Sequence, residues 1–283
     1  MGANSTIEWT THTFNPWWGC TNVSPACDHC YAELLAKRRG FRVWGPGAFI
    51  RQLSDAHWRE PLKWNERATR ASDRPRVFCA SMADVFEGRP EQAPLRERLW
   101  KIVVATPNLD WLLLTKRPGK IAELVPWQEA WPRNVWVGTT AENQEWTDKR
   151  LPHLLALPAI VRFVSVEPLL GPVDLSTFLH GERRIDWVIV GGESGAAARP
   201  MNAGWVRAVR DQCVAAGVPL HFKQWGTFGP RNGSDGLVRL GKKSAGRSLD
   251  GRTWDQLPNR EGGIAVPPTS HESETHRPEA HHG

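Results

Sequence analysis

Six short apolar runs punctuate the first 226 residues: 76–81 (RVFCAS), 110–115 (DWLLLT), 134–139 (NVWVGT), 160–166 (IVRFVSV), 185–191 (IDWVIVG) and 219–224 (PLHFKQ). Most are near-continuous in β-branched and aromatic side chains, the pattern of parallel strands covered on both faces. Between the runs, apolar positions return with helical spacing: Leu95, Leu99, Ile102 and Val103, then Trp205, Val206, Val209 and Cys213 behind Asn202, a suitable N-cap. Residues 142–157 also read as helix, with Pro152 expected to split or restart it. Near the N-terminus, Tyr31, Leu34, Leu35 and Arg38 mark a helix that Gly40 is placed to stop, and residues 13–18 are expected to form a seventh strand.

Strand and helix in alternation imply a parallel sheet with right-handed crossovers. The residues at the C-terminal end of each run decide the kind of sheet. They read SMAD, TKR, TTAEN, SVEP, GGES and KQW, so almost every strand end delivers polar or charged groups. An open sheet spreads such groups along an edge; a barrel brings them to one mouth. The fold class expected is α/β, a (βα) barrel, complete or partial and TIM-like, over residues 1–229. Residues 41–75 form an insertion after the first helix, able to lie over the mouth or bind a partner. Residues 230–260 read as a small C-terminal extension with a hairpin around Asp250-Gly251, and 261–283 as a disordered tail without periodicity.

Composition changes this picture in a few ways. No apolar run approaches the roughly 20 residues of a membrane span, and the N-terminus lacks the basic and apolar regions of a secretory signal. A cytoplasmic protein is expected. A formal charge of +6 mildly favours polyanionic partners. The 16 Trp supply both core and flat faces for stacking.

Five cysteines, an odd number, favour metal binding or catalysis over disulfides. Cys20, Cys27 and Cys30 are spaced C-x6-C-x2-C among Gly, Asn, Ser, Pro, Asp and His, which is not a core pattern. Two metal chemistries suit them. A [4Fe–4S] cluster held by three thiolates keeps one iron open, which can chelate the amino and carboxylate groups of S-adenosylmethionine. Structural zinc needs a fourth ligand, and His12, Asp28 and His29 are near in sequence. Cys79, inside a strand, and Cys213, on an apolar helix face, read as core residues. The chain shows no Ser-His-Asp arrangement, P-loop or H-E-x-x-H.

The cysteine stretch resembles the radical S-adenosylmethionine superfamily, whose usual C-x3-C-x2-C lies after the first barrel strand. Here the first gap is six residues, and His29 stands where an aromatic residue often precedes the last cysteine. Along most of residues 7–226 the chain resembles a narrower group, the phage- and prophage-associated three-cysteine-motif proteins of unknown function. The matching stretches are IEWTTHTFNPWWGCTNVSPACDHCYAE, ASMADVFE, LLLTKRP, VWVGTTAEN, FVSVEPLLGPV, VIVGGESGAAARPM and HFKQWG.

The superfamily resemblance implies a [4Fe–4S] cluster on Cys20, Cys27 and Cys30, and S-adenosylmethionine seated by Ser165, Glu167, Gly191, Gly192, Glu193 and Ser194. Arg117, Lys223 and Gln224 would orient substrate, with Arg199 a further anion-binding candidate. A low-potential donor such as a flavodoxin or ferredoxin would supply electrons; the basic charge, the abundant Trp and the resemblance to phage-associated proteins point to a nucleotide or nucleic acid as substrate. Read from the residues alone, Glu167 serves equally well in a salt bridge with Lys116, Arg117 or Lys223, and Asp84 as a helix cap. Of the two lysines, Lys116 suits a plain surface position better than Lys223. The rival reading is a zinc-stabilised nucleic-acid-binding protein without catalysis; a third is a barrel whose cluster is only structural.

Overall fold

In a computed structural model of the chain, which describes residues 2–128, 130–231 and 236–259, the apolar runs lie edge to edge in chain order. The strands are β1 (His12–Thr13), β2 (Trp17–Trp18), β3 (Arg51–Gln52), β4 (Arg76–Cys79), β5 (Asp110–Thr115), β6 (Val135–Thr140), β7 (Arg162–Val166), β8 (Trp187–Gly191), β9 (Leu220–Gln224), β10 (Phe228–Pro230) and β11 (Leu237–Arg239). The helices are α1 (Tyr31–Arg38), α2 (Asp55–Trp58), α3 (Glu60–Ala71), α4 (Ala93–Ala105), α5 (Ile121–Leu124), α6 (Gln144–Leu155), α7 (Ala203–Ala216) and α8 (Lys242–Ala245). One seven-stranded sheet runs β1-β4-β5-β6-β7-β8-β9, every pair parallel. Among the described residues β1 and β9 do not pair, so the sheet curls into a half-barrel.

Period-two alternation sorts the side chains. Val77, Trp111, Val135, Val164, Val188 and Leu220 turn outward into the larger core, with the inner faces of α4, α6 and α7. Phe78, Leu112, Trp136, Phe163, Trp187 and Ile189 turn to the concave face and form a separate cluster. Trp9, from the N-terminal segment, closes the floor of this face, its ring centroid 4.6 Å from Phe78 and 6.1 Å from Trp187. Cys79 points outward into the larger core, and Cys213 is buried there as well.

Three elements depart from the sequence pattern. The strand expected over 13–18 is two strands, because Pro16 has no N–H for a ladder and Asn15 turns aside. The Asn15 amide donates to Ser81 Oγ at 3.0 Å and its Oδ1 accepts Met82 N–H at 2.8 Å. β1 joins the main sheet, while β2 pairs antiparallel with β3 from the insertion. Helix α6 runs unbroken through Pro152: Leu151 and Leu154, both fully buried, hold it in place despite one missing hydrogen bond. Helix α1 ends at Gly40 as expected but buries its small face, Ala32 and Ala36, leaving Tyr31 and Leu34 exposed.

The turn at Asp250-Gly251 forms, bridged by Leu249 and Arg252, and Trp254 packs into the core while its carbonyl accepts Phe222 N–H at 2.9 Å. The segment expected to be a disordered tail, 261–283, lies outside the described residues. Among the described residues no helix is long and apolar enough to cross a membrane.

The packing of the concave face can be tested at two positions. A Cβ on Gly138 would sit 2.4 Å from the Phe163 ring, so Gly138→Ala is expected to cost about 1–3 kcal/mol by overpacking, measured by denaturant unfolding. His221 is buried and neither ring nitrogen has a hydrogen-bond partner among the described residues, the Asp255 carboxylate standing 3.7 Å from Nδ1; burial together with the nearby cations Arg247, Lys223 and Arg76 pushes its pKa down to about 3. The unfolded chain therefore takes up a proton near pH ~6.5 that the native fold refuses until far lower pH. Stability should fall as pH drops from about 6.5 towards 3, by up to about 1.4 kcal/mol per pH unit for this site, and His221→Leu should flatten that slope.

A cysteine-lined mouth as the candidate functional site

The C-terminal strand ends surround a cavity of about 600 Å³, within the range of small-molecule sites. Cys20, Cys27 and Cys30 form part of its wall. Of the other site residues expected from sequence, Ser165, Glu167, Gly192, Glu193, Ser194, Arg117, Lys223 and Gln224 also line it, and Gly191 stands behind Glu167. A Cβ on Gly191 would come within 3.1 Å of the Glu167 carboxylate, and one on Gly192 within 2.0 Å of Trp225 O. Close packing against backbone therefore requires a glycine at 192, while a side chain at 191 would press on the Glu167 carboxylate.

The loop carrying the cysteines has little secondary structure of its own. It is fastened to the strand ends by three carboxylate–arginine pairs. After β4, Asp84 pairs with Arg117 at 2.9 Å, and Arg117 Nη2 donates to Thr21 O at 2.7 Å. After β6, Glu142 pairs with Arg150 at 2.8 Å, both buried, and Glu142 Oε1 accepts Ala26 N–H at 3.4 Å. After β8, Glu193 pairs with Arg199 at 2.7 Å, and Arg199 Nη2 donates to Pro25 O at 2.8 Å. Arg199 also meets Asp28 at 3.3 Å, and Glu193 Oε2 meets His29 Nδ1 at 3.0 Å. Burial alone would raise the Glu193 carboxyl; hydrogen bonds from Arg199 and His29 hold it below its ordinary range.

Asp84 is thus a mouth residue, not a helix cap: it accepts from Thr115 Oγ1 at 2.7 Å and from the amides of Phe86 and Lys116. Arg117 and Glu193, expected to face ligands, are committed to the cysteine loop. Glu142 and Arg150 were not singled out by sequence reading, although Glu142 stands among the polar residues at the end of β6.

On the opposite wall, Glu167 accepts two hydrogen bonds from Lys223 Nζ, at 2.7 and 2.9 Å. Gln224 Nε2 reaches Ser194 Oγ at 3.3 Å, while Gln224 Oε1 is buried without a partner. Lys116, which the sequence pattern ranks below Lys223, lines the cavity and has no ion-pair partner among the described residues. Its charge reaches Cys30.

All five cysteines are free thiols. Burial, reinforced by Asp84, pushes Cys20 up to about 12 although Arg117 offsets part of the rise, and burial raises Cys30. Among the described residues no three His, Cys, Asp or Glu side chains stand close enough to hold a metal ion, so ligation requires the cysteine side chains or loop to move. The surroundings fit an anionic thiolate-bound cluster. Arg150 Nε and Nη2 are buried without hydrogen-bond partners among the described residues, and the Arg150 cation is near enough to Cys27 for their charges to interact.

Among solved structures, spore photoproduct lyase complexed with dinucleoside spore photoproduct is similar at 14% identity and a TM-score of 0.47, covering 84% of this chain and 73% of that one. A mutant of that lyase with bound AdoMet and dinucleoside spore photoproduct is similar at 13% identity and a TM-score of 0.44, with the same coverage. No curated protein matches. A family model described as a protein of unknown function (DUF5131) matches residues 4–258, and the chain belongs to that family.

Proposed function

We propose that the protein is a radical S-adenosylmethionine enzyme acting on a nucleotide or nucleic-acid substrate. The observation that carries this reading is the placement of three free thiols on the wall of a cavity of about 600 Å³ at the strand-end mouth. That is far more room than a single ion needs, whereas structural zinc sites are closed. Cys20, Cys27 and Cys30 would hold a [4Fe–4S] cluster. When bound, the cluster supplies the electron that cleaves S-adenosylmethionine to a 5′-deoxyadenosyl radical. A low-potential flavodoxin or ferredoxin would deliver that electron, in a cytoplasm that keeps the thiols reduced.

The chain's own groups do the positioning. Arg117, Arg150 and Arg199 fix the cysteine loop through Asp84, Glu142 and Glu193. Ser165, Glu167, Gly192 and Ser194 line the space for S-adenosylmethionine, with Gly191 backing Glu167 and Lys223 holding the Glu167 carboxylate in place. Gln224 Oε1 is free to accept from an amine or hydroxyl, and Lys116 offers a cation to an anionic group.

One observation favours the zinc reading. His29 engages Glu193 through Nδ1, the support that metal-bound imidazoles usually have, which leaves Nε2 for a metal. Metal analysis of anaerobically reconstituted protein separates the two. About four iron and four sulfide per chain are expected, with iron falling towards zero in Cys27→Ala; one zinc per chain and no sulfide would refute the radical reading. Arg199→Gln removes one fastening of the cysteine loop and is expected to weaken metal retention about 10–100-fold, measured by chelator competition.

A further inference from the structure

We propose that a single-stranded nucleic acid approaches the mouth along a basic, aromatic strip formed by the C-terminal half of α1 and residues 39–51. It rests on the proposed function only for what becomes of the strand on arrival. From residue 33 to residue 52 the acids are Glu33 alone, against Lys37, Arg38, Arg39, Arg42 and Arg51. Lys37 is paired with Glu33. Arg38 and Arg42 are exposed and, among the described residues, have no acid partner. The guanidinium of Arg51 lies 5.1 Å over Trp18 and 4.3 Å over Phe41, and that of Arg39 lies 5.8 Å over Trp18. These stacks hold the cations in place without neutralising them.

The strip leads into the cavity. A depression lined by Lys37 with its partner Glu33, and by Phe41, Arg42 and Trp44, shares Trp44 with the mouth. Cys20 O accepts Gly45 N–H at 3.0 Å, so the 44–49 loop lies directly against the cysteine loop. Inside, Asp84, Glu167 and Glu193 are matched by Arg117, Lys223 and Arg199; of the remaining charged lining residues, Lys116 and Lys242 have no acid partner and Glu8 no cation partner among the described residues. Unmatched cations therefore outnumber unmatched acids on the cavity wall, as they do on the strip.

Flat apolar faces stand beside them. Phe49 is 88% exposed, and Ala48 next to it is anchored by Arg89 Nη1 donating to its carbonyl at 2.7 Å. Tyr31 is 55% exposed at the rim, with its hydroxyl fixed to Ser81 O at 3.0 Å. Spaced cations match a phosphodiester chain, and exposed rings match unpaired bases, the combination used by proteins that bind single strands.

Fluorescence anisotropy with the full-length protein and a labelled oligothymidylate of about 12 nucleotides tests the strip. Binding should weaken steeply with salt. Arg38→Ala/Arg42→Ala/Phe49→Ala, all at exposed positions, should bind at least about tenfold more weakly, and its log–log salt slope should be shallower by about 1–2. Absence of binding, unchanged affinity of the triple variant, preference for a duplex of equal length, or equal competition by polyglutamate would each overturn the proposal. Iron content of the same preparations tests the cluster separately: oligonucleotide binding without iron sinks the radical reading and leaves the strip standing.

Discussion

The mouth depends on three buried or half-buried carboxylate–arginine pairs that hold a loop with almost no hydrogen-bonded ladder of its own. Their carboxylates, Asp84, Glu142 and Glu193, come after alternate strands β4, β6 and β8, so one layer of the half-barrel presents acids at regular intervals around its rim. Each pair reaches a different part of the cysteine loop: Thr21, Ala26, and Pro25 with Asp28 and His29. Creating such pairs costs desolvation, but removing one member leaves an uncompensated charge. The loop is therefore held at several points, and its three cysteines border the cavity.

The remaining strand ends serve the opposite wall. β7 and β9 supply Glu167, Lys223 and Gln224, and the loop after β5 supplies Lys116. The floor beneath is apolar, sealed by Trp9 against Phe78 and Trp187. A cavity closed below, polar at the rim and bordered by thiols suits a cofactor that must be shielded from water while its substrate enters from one side.

Much of this was legible in the letters. Near-continuous apolar runs gave the parallel strands, and polar residues at their ends placed the mouth. The cysteine spacing located the candidate metal chemistry. Local pattern offered Lys116, Arg117 or Lys223 as a partner for Glu167 without choosing among them; Lys223 is the partner, and Lys116, the lysine that looked plain, has no acid partner among the described residues. Arg117 and Glu193 have the residue types of ligand-binding groups, but Arg117 is taken by Asp84 from the loop after β4, and Glu193, besides its near neighbour Arg199, by His29 from the cysteine loop. Helix α1 formed and stopped where expected, but its buried face is two alanines, which carry little hydropathy signal beside Tyr31 and Leu34. The strand expected over 13–18 ran through Pro16, and nothing local showed that its second half would pair with Arg51–Gln52.

Electron paramagnetic resonance of the reduced, cluster-loaded protein, recorded with and without S-adenosylmethionine, addresses the open coordination site directly. A reduced [4Fe–4S] signal that changes when S-adenosylmethionine is added is the expected result. An iron–sulfur signal indifferent to S-adenosylmethionine, or none because the site takes up only zinc, would contradict it.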